Sequence, residues 1–412
     1  MSLHNISSTI DRALRSAGLD TKSELIRGIQ DTIHKALAAA GVQQKAPNEH
    51  PPTAPLRTRS DTVADTDTDT DTDTDIIDID ARVVEPQPQR PPAAADAPSP
   101  VRRSRFLSLV HAGAAGQRSF KLFVPACYRD EAVPLVVMLH GCQQNPDDFA
   151  AGTRMNELAE RHNFLVVYPA QSANANGSNC WNWFKSQDQA RDSGEPSLIA
   201  GIVRQIVSSH QVDEQRIFVA GLSAGAAMAV ILGRTYPDLF AAVGAHSGLP
   251  YGAAHDVPSA FAAMQGGGGS RGGRTQARRR GAADESALFA GAATIVFHGD
   301  RDTTVNPANG AAIVRQAALQ AASDEPMEQA ATDRGRAGGR DYTTTVYKDA
   351  VGRTRVEHWV LHGGAHAWSG GSAEGSFTDT KGPDASAQML RFFLDTAADP
   401  KRSVNGAAMQ QD

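Results

Sequence analysis

From residue 134 the chain alternates short unbroken apolar runs with longer stretches whose apolar residues recur every three or four positions. Pro134-Leu-Val-Val-Met-Leu139, Phe164-Leu-Val-Val-Tyr168, Ile217 to Ala220, Phe240 to Gly244, Ala293-Thr-Ile-Val-Phe297 and Val356 to Leu361 are the unbroken runs. Such runs fit strands buried on both faces of a mostly parallel sheet. Upstream, Phe120, Leu122 and Val124 alternate with polar residues and stop at Pro125, which predicts a half-exposed strand. Helix spacing is read through Met155, Leu158 and Ala159, over Pro196 to Val212, over Ala226 to Leu232, and over Ala387 to Ala397. The last of these carries Met389, Leu390, Phe392, Phe393 and Leu394. Strands alternating with helices predict an α/β domain over residues 104–397, with helices on both faces of the sheet. Two stretches break the pattern and are expected to be flexible insertions. Residues 264–283 hold Gly266 to Gly269 and Arg271, Arg274, Arg278, Arg279 and Arg280, and residues 322–340 read as a second excursion.

The chain before this domain has another character. In residues 1–42, Ile6, Ile10 and Leu14 share a helix face, as do Leu25, Ile26, Ile29, Ile33 and Leu37. Thr21-Lys-Ser-Glu24 is a capping-box pattern and Gly41 a plausible stop. This amphipathic segment has too little apolar surface to fold alone. It reads as a helix pair packed on the main domain or on a second copy, or as a docking element for an apolar surface. Residues 43–103 read as a disordered linker, with a pure Asp-Thr repeat at 65–75 and a Pro- and Ala-rich stretch at 86–100. The Asp-Thr repeat lacks the glycine and spaced ligands of a calcium loop. Residues 398–412 are a short tail.

Charge and composition narrow the classes. A net charge of −6 gives no global basic field for nucleic acid. No run approaches about 18 apolar residues, so no membrane span is expected. The N-terminus has no continuous apolar h-region of a secretory signal. Three cysteines cannot build a disulfide scaffold, although one pair is possible.

The chemistry centres on Gly221-Leu-Ser-Ala-Gly225, placed between the run at 217–220 and the helix at 226–232. Strand, tight turn with serine at its tip, then helix is the nucleophile elbow, and Ser223 is the candidate nucleophile. A serine needs a base, and the base needs an orienting acid. In α/β-hydrolases these follow in the order Ser, Asp/Glu, His, on loops after strands. His298-Gly-Asp300-Arg-Asp302 follows one apolar run, and His362-Gly-Gly-Ala-His366-Ala-Trp368 follows another. Either aspartate could serve as the acid. His366 is the better base, because it lies further into the Gly-rich loop, whereas His362 abuts the strand. His358, His362 and His366 are spaced by four, but the strand and glycines between them argue against a helical metal site, so no metal or cofactor is expected. The oxyanion hole needs two N–H groups; Ala224, after the nucleophile, and Cys142, after His140-Gly141, are the candidates.

Taken together, these segments resemble the polyhydroxybutyrate depolymerase family of esterases. The resemblance rests on His140-Gly-Cys-Gln-Gln144, Gly152-Thr-Arg-Met-Asn-Glu-Leu-Ala159, Cys180-Trp-Asn-Trp-Phe184, Gly221-Leu-Ser-Ala-Gly225, Ala245-His-Ser-Gly-Leu-Pro-Tyr-Gly252, His298-Gly-Asp-Arg-Asp302 and His362-Gly-Gly-Ala-His-Ala-Trp368. It covers roughly residues 104–397. It implies the α/β-hydrolase fold, a triad of Ser223, Asp302 and His366, and an oxyanion hole at Cys142 and Ala224. It also implies substrate contacts at Trp181, Trp183 and Gln143, with core packing the other reading for the tryptophans. Where the family often has Gly-Gly-Gly-His and Trp-Pro-Gly around the base, Ala365 and Ser369 stand in two of the places. Cys142 and Cys180 occupy motifs in which the wider family often places a disulfide, which a reducing cytosol would oppose; Cys127 is then a lone thiol.

The expected function is hydrolysis of poly(3-hydroxybutyrate) and its oligomers through a hydroxyacyl-enzyme. Secreted relatives carry a signal peptide and usually a polymer-binding domain. Neither is read here, so the intracellular branch is the nearer resemblance. The expected location is cytoplasmic, on polymer granules if residues 1–42 dock there, with secretion the alternative. Two rivals are a feruloyl or acetylxylan esterase and a granule-associated interaction protein with an idle hydrolase domain.

Overall fold

The computed structural model describes residues 103–266, 291–321 and 327–397. The helical segment at 1–42, nearly all of the linker at 43–103, most of the insertion at 264–283 and the tail at 398–412 lie outside the described residues.

Among the described residues, ten strands form one sheet, in the order β1-β2-β4-β3-β5-β6-β7-β10-β9-β8. They are β1 (Arg105–Gly113), β2 (Gly116–Val124), β3 (Val133–Leu139), β4 (Leu165–Pro169), β5 (Val212–Leu222), β6 (Ala242–His246), β7 (Ala293–Gly299), β8 (Glu328–Ala337), β9 (Arg340–Lys348) and β10 (Thr354–Leu361). The six strands from β4 across to β10 run parallel. An antiparallel hairpin closes each side, β1–β2 joined to β4 and β8–β9 joined to β10. The helices are α1 (Pro146–Thr153), α2 (Met155–His162), α3 (Gly194–Ser209), α4 (Ala224–Thr235), α5 (Val257–Met264), α6 (Ala308–Ala321) and α7 (Ala385–Ala397). This is the α/β-hydrolase fold expected from the sequence.

The unbroken apolar runs have a direct structural cause. Every residue of β3 is buried. Leu135, Val137 and Leu139 enter the core on one face of the sheet with Ile199, Ile202, Val203, Met228 and Leu232 of α3 and α4. Val136 and Met138 enter the core on the other face with Phe149, Met155, Leu158, Phe392 and Phe393 of α1, α2 and α7. Strand geometry sends alternate side chains to opposite faces, so a strand covered by helices on both faces must be apolar at every position. Local signals fix the helix starts. Asn145 caps α1 by accepting the N–H groups of Asp147 and Asp148, with Pro146 at the first turn. Asp256 and Ser259 form a capping box on α5.

Two sequence expectations change. Residues 328–337 are an ordered strand, where the sequence reading has a flexible excursion over 322–340. The strand lies at the sheet edge and is exposed along nearly its whole length, so it carries no alternation. Its charged residues, Glu328, Asp333, Arg334 and Arg336, suit an edge that must not recruit another strand. The signal that could have revealed it is Gly338-Gly339, which fills the two-residue turn at φ 54° and 79°. The strand β1, at the other edge of the sheet, was not read either: its residues are exposed or only partly buried, so no unbroken apolar run marks it.

Aromatic packing locks the last helix to β5. Phe393 of α7 stacks on Phe218 of β5 with centroids 4.9 Å apart, and both are fully buried. Phe393→Ala should therefore cost about 3–5 kcal/mol, read as a lower urea midpoint. A loss under about 1 kcal/mol would mean that α7 does not depend on this contact.

Candidate active site

The candidate nucleophile sits where β5 turns into α4. Ser223 has φ 57° and ψ −119°, a backbone state that an L-residue holds only when its surroundings enforce it. Two glycines enforce it. A Cβ on Gly221 would lie 2.4 Å from the Gly225 carbonyl carbon, and one on Gly225 would lie 2.1 Å from the Leu139 oxygen. Strand, turn and helix can pass this closely only without those side chains. The Ser223 N–H donates to the His246 oxygen at 2.9 Å, and the Ser223 oxygen accepts from Ala227 N–H at 3.0 Å.

The candidate acid and base come from the loops after β7 and β10. The side chain of Asp302 has 0% exposure and that of His366 12%. His366 Nδ1 donates to Asp302 Oδ2 at 2.7 Å. The other carboxylate oxygen accepts the N–H groups of Thr304 and Val305 at 2.9 Å each. Burial alone would raise the Asp302 pKa. Hydrogen bonds from His298 and His366, together with the His366 charge and the Val305 N–H, overcome that and hold the carboxyl far below its ordinary range. Asp302 is thus an ionised acceptor that fixes the His366 proton on Nδ1 and leaves Nε2 bare.

The alternative acid and base also pair with each other. His362 Nδ1 lies 3.0 Å from Asp300 Oδ2, and Gly363 N–H donates to Asp300 Oδ1 at 2.6 Å. This pair is much more open, at 42% and 39% exposure, and His362 Nε2 is engaged by Thr343 Oγ1 at 2.8 Å. A ring with both nitrogens occupied cannot accept a substrate proton. Asp300–His362 instead fastens the two loops together, beside backbone bonds from Asp300 N–H to the Leu361 oxygen and from Arg301 N–H to the Gly364 oxygen, each 3.0 Å.

No hydrogen bond joins the Ser223 hydroxyl to His366 among the described residues. Bonds of this kind commonly form only when substrate is bound. What couples the elbow to the base loop is His246, a residue the sequence reading did not single out although it lay inside a quoted motif. Its oxygen holds the Ser223 N–H, and its ring Nε2 accepts the Ser369 N–H at 3.1 Å.

The candidate oxyanion loop follows β3. Gly141 N–H is taken by Gln144 Oε1 at 2.9 Å and Gln143 N–H by the Ser178 oxygen at 2.7 Å. Between them, Cys142 N–H has no such partner among the described residues, nor has Ala224 N–H at the first position of α4. Gln144, also missed, reaches on to Asp148 Oδ2 and the Ser376 oxygen, each at 2.9 Å, and so ties this loop to the chain after the base. Gln143 is exposed at φ 65°. Cys142 and Cys180 are joined in a disulfide, and Cys127 is free.

The tryptophans, read from the sequence as substrate contacts or as core, are both buried. Trp181 has 0% exposure and Trp183 6%, and both belong to the core. Trp181 Nε1 donates to the His140 oxygen at 3.0 Å, so it braces the start of the candidate oxyanion loop. Their place beside a motif did not show which way the rings face. Glu195 completes that support by accepting Asn182 N–H and Asn182 Nδ2, each at 2.8 Å. Among the described residues no group of three or more His, Cys, Asp or Glu could hold a metal, and no helix is long and apolar enough to cross a membrane.

Residues 118–336, more than half of the chain, match the family described as Esterase PHB depolymerase. The chain belongs to that family. It is 35% identical over 234 residues to poly(3-hydroxyalkanoate) depolymerase C of Paucimonas lemoignei, covering 57% of this chain and 54% of that protein. It is 28% identical over 252 residues to poly(3-hydroxybutyrate) depolymerase of Ralstonia pickettii, covering 58% and 48%. The chain thus spans about half the length of these curated relatives. Among solved structures, an acetyl xylan esterase from Aspergillus awamori superposes with a TM-score of 0.53 at 19% identity, covering 71% of this chain and 99% of that one, which supports the α/β-hydrolase fold.

Two outcomes follow for this Esterase PHB depolymerase domain. Burial pushes the pKa of His140 and His358 down to about 4 and that of His246 to about 3. The unfolded chain, with histidines near about 6.5, takes up these protons first. Stability should be full above about pH 6.5 and fall as the pH drops toward the folded values, with each ring approaching about 1.4 kcal/mol per pH unit. Urea midpoints at about pH 7 and pH 5 check this; an unchanged or higher midpoint at the lower pH contradicts it. Reducing Cys142–Cys180 should lower stability by about 2–4 kcal/mol and depress kcat more than it raises KM. Wild type with and without a thiol reductant, against Cys180→Ser, gives the measurement.

Proposed function

We propose that this domain is a serine esterase in which Ser223, His366 and Asp302 form the triad and whose substrate is poly(3-hydroxybutyrate) and its oligomers. The observation that carries the proposal is the buried, ionised Asp302 bonded to His366 at 2.7 Å, on a loop coupled through His246 to the strained Ser223 elbow. His366 Nε2 takes the proton of Ser223 Oγ as that oxygen attacks an ester carbonyl. The tetrahedral oxyanion is held by the N–H groups of Cys142 and Ala224. Its collapse expels the alcohol end of the polyester, which receives the proton from His366, and leaves a hydroxyacyl ester on Ser223. Water, deprotonated by His366, then attacks that ester; the acid departs and Ser223 recovers its proton. Asp302 keeps the tautomer and stabilises the imidazolium in both halves.

The polyester substrate rests on the kinship with the two depolymerases, since a fold and a triad do not name an acyl group. A second reading, a feruloyl-type esterase, rests on kinship with feruloyl esterase B of Neurospora crassa, 32% identical over 129 residues. Attachment to polymer granules through residues 1–42 rests on the sequence pattern alone. The Cys142–Cys180 bond favours an oxidising compartment over the cytoplasmic location expected from the sequence.

The test incubates purified protein with amorphous poly(3-hydroxybutyrate) and scores released 3-hydroxybutyrate and oligomers. Ser223→Ala and Asp302→Asn should each cut kcat by about four orders of magnitude with the fold intact. Retained turnover in Ser223→Ala would overturn the triad. Loss of polymer release beside intact cleavage of acetyl or feruloyl esters would keep the triad and replace the substrate.

A further inference from the structure

His246 occupies a position that nothing in the triad chemistry requires, yet it touches the supports of all three proposed catalytic residues. It is the last residue of β6, which lies between the nucleophile strand β5 and the acid strand β7. In the sheet register its neighbours are Leu222, the residue before Ser223, and Phe297, five residues before Asp302. Its backbone oxygen takes the Ser223 N–H at 2.9 Å. Its ring packs between Phe297, at 5.8 Å and 11°, and Trp368, at 5.3 Å and 26°. Trp368 is two residues beyond His366.

The ring is fully buried, and its polarity is used. Nε2 accepts the Ser369 N–H at 3.1 Å, so the ring proton resides on Nδ1, which faces Ser247 Oγ at 3.3 Å. Burial, with smaller repulsion from His298 and His366, holds the ring neutral, and Nε2 therefore stays an acceptor whenever His366 can act as a base. Ser369 is itself buried, and its hydroxyl donates to the Pro383 oxygen at 2.8 Å. Without the His246 nitrogen the Ser369 N–H would be left buried and unpaired, and the loop carrying His366 would have to move to find a partner or water. A phenylalanine would keep the stack and lose this bond.

We propose that His246 is a positioning residue for the base: its ring nitrogen, through the Ser369 N–H, sets the His366 loop against the Ser223 elbow. This rests on the triad reading above. The consequence is a geometric requirement on proton transfer, so it falls on kcat. A displacement of about 1 Å in a catalytic group can cost about a hundredfold.

The test compares His246→Phe, His246→Gln and His246→Asn with wild type and Ser223→Ala, on p-nitrophenyl butyrate, with melting temperature measured alongside. Glutamine can bring a carbonyl oxygen to about where Nε2 lies, whereas asparagine stops near the Nδ1 position. His246→Phe should lose about tenfold to a hundredfold in kcat with KM changed by less than about threefold, and His246→Gln should recover most of the loss. The downfield proton resonance of the His366–Asp302 bond should persist in His246→Gln and shift or broaden in His246→Phe. A folded His246→Phe with kcat within about threefold of wild type, or an equally impaired His246→Gln, overturns the proposal. Should His246→Phe not fold, the glutamine–asparagine pair decides: higher kcat for glutamine supports it and equal kcat overturns it. Turnover by Ser223→Ala would sink the triad reading itself, whereas an unimpaired His246→Phe beside an inactive Ser223→Ala sinks this inference alone.

Discussion

A carboxylate with no exposed surface has to be hydrogen-bonded on both oxygens or it will not stay ionised. Asp302 meets that condition with two backbone N–H groups on one oxygen and His366 on the other. Much of the surrounding architecture answers to this constraint. The loop after β7 must fold back tightly enough to offer its own N–H groups, and the loop after β10 must lie across it to deliver the imidazole. The Asp300–His362 pair and the backbone bonds at Asp300 and Arg301 hold the two loops in that relation. Both strands are neighbours in the parallel sheet, so their C-terminal loops emerge on the same edge, as does the elbow after β5.

The elbow has the opposite character. Ser223 is held in a costly backbone state, and the neighbouring packing keeps it there. Glycines 221 and 225 allow strand and helix to approach each other and Leu139, while β5 itself is anchored by β3, β6 and the aromatic stack with α7. The candidate oxyanion loop after β3 is fixed by three contacts: Gln144 to the Ser376 oxygen, Trp181 to the His140 oxygen, and the disulfide from Cys142 to Cys180. Rigid support of this kind is what an oxyanion hole needs, since its donors must already point at charge that forms only in the transition state.

The strands that place the site were legible because helices cover both faces of the sheet centre. That forces unbroken apolar runs, and those runs end at the elbow and at the two loops. The edge strand at 328–337 was not legible, because a strand open to water on both faces has no pattern to read beyond its Gly338-Gly339 turn. Within the candidate site, motif order pointed to two loops for an acid and a base but left Asp300 and Asp302 equivalent. Burial and the engagement of His362 by Thr343 separate them, and neither is visible in one dimension. The burial of Trp181 and Trp183 is invisible in the same way: the sequence left substrate contact and core packing both open, and only the folded chain shows the Trp181 indole bonded to the His140 oxygen. His246 escaped notice since a histidine closing an apolar strand looks like any packed ring until its partners on three neighbouring elements are seen.

The central claim, that Ser223 is a nucleophile activated by His366 and Asp302, is tested most directly by covalent labelling. The protein would be exposed to a fluorophosphonate and the adduct mapped by peptide mass spectrometry. The account predicts one phosphonyl adduct, on the peptide containing Ser223, formed about a hundredfold or more slowly in Asp302→Asn. An adduct on a different residue, or none in a preparation that still hydrolyses esters, would contradict it.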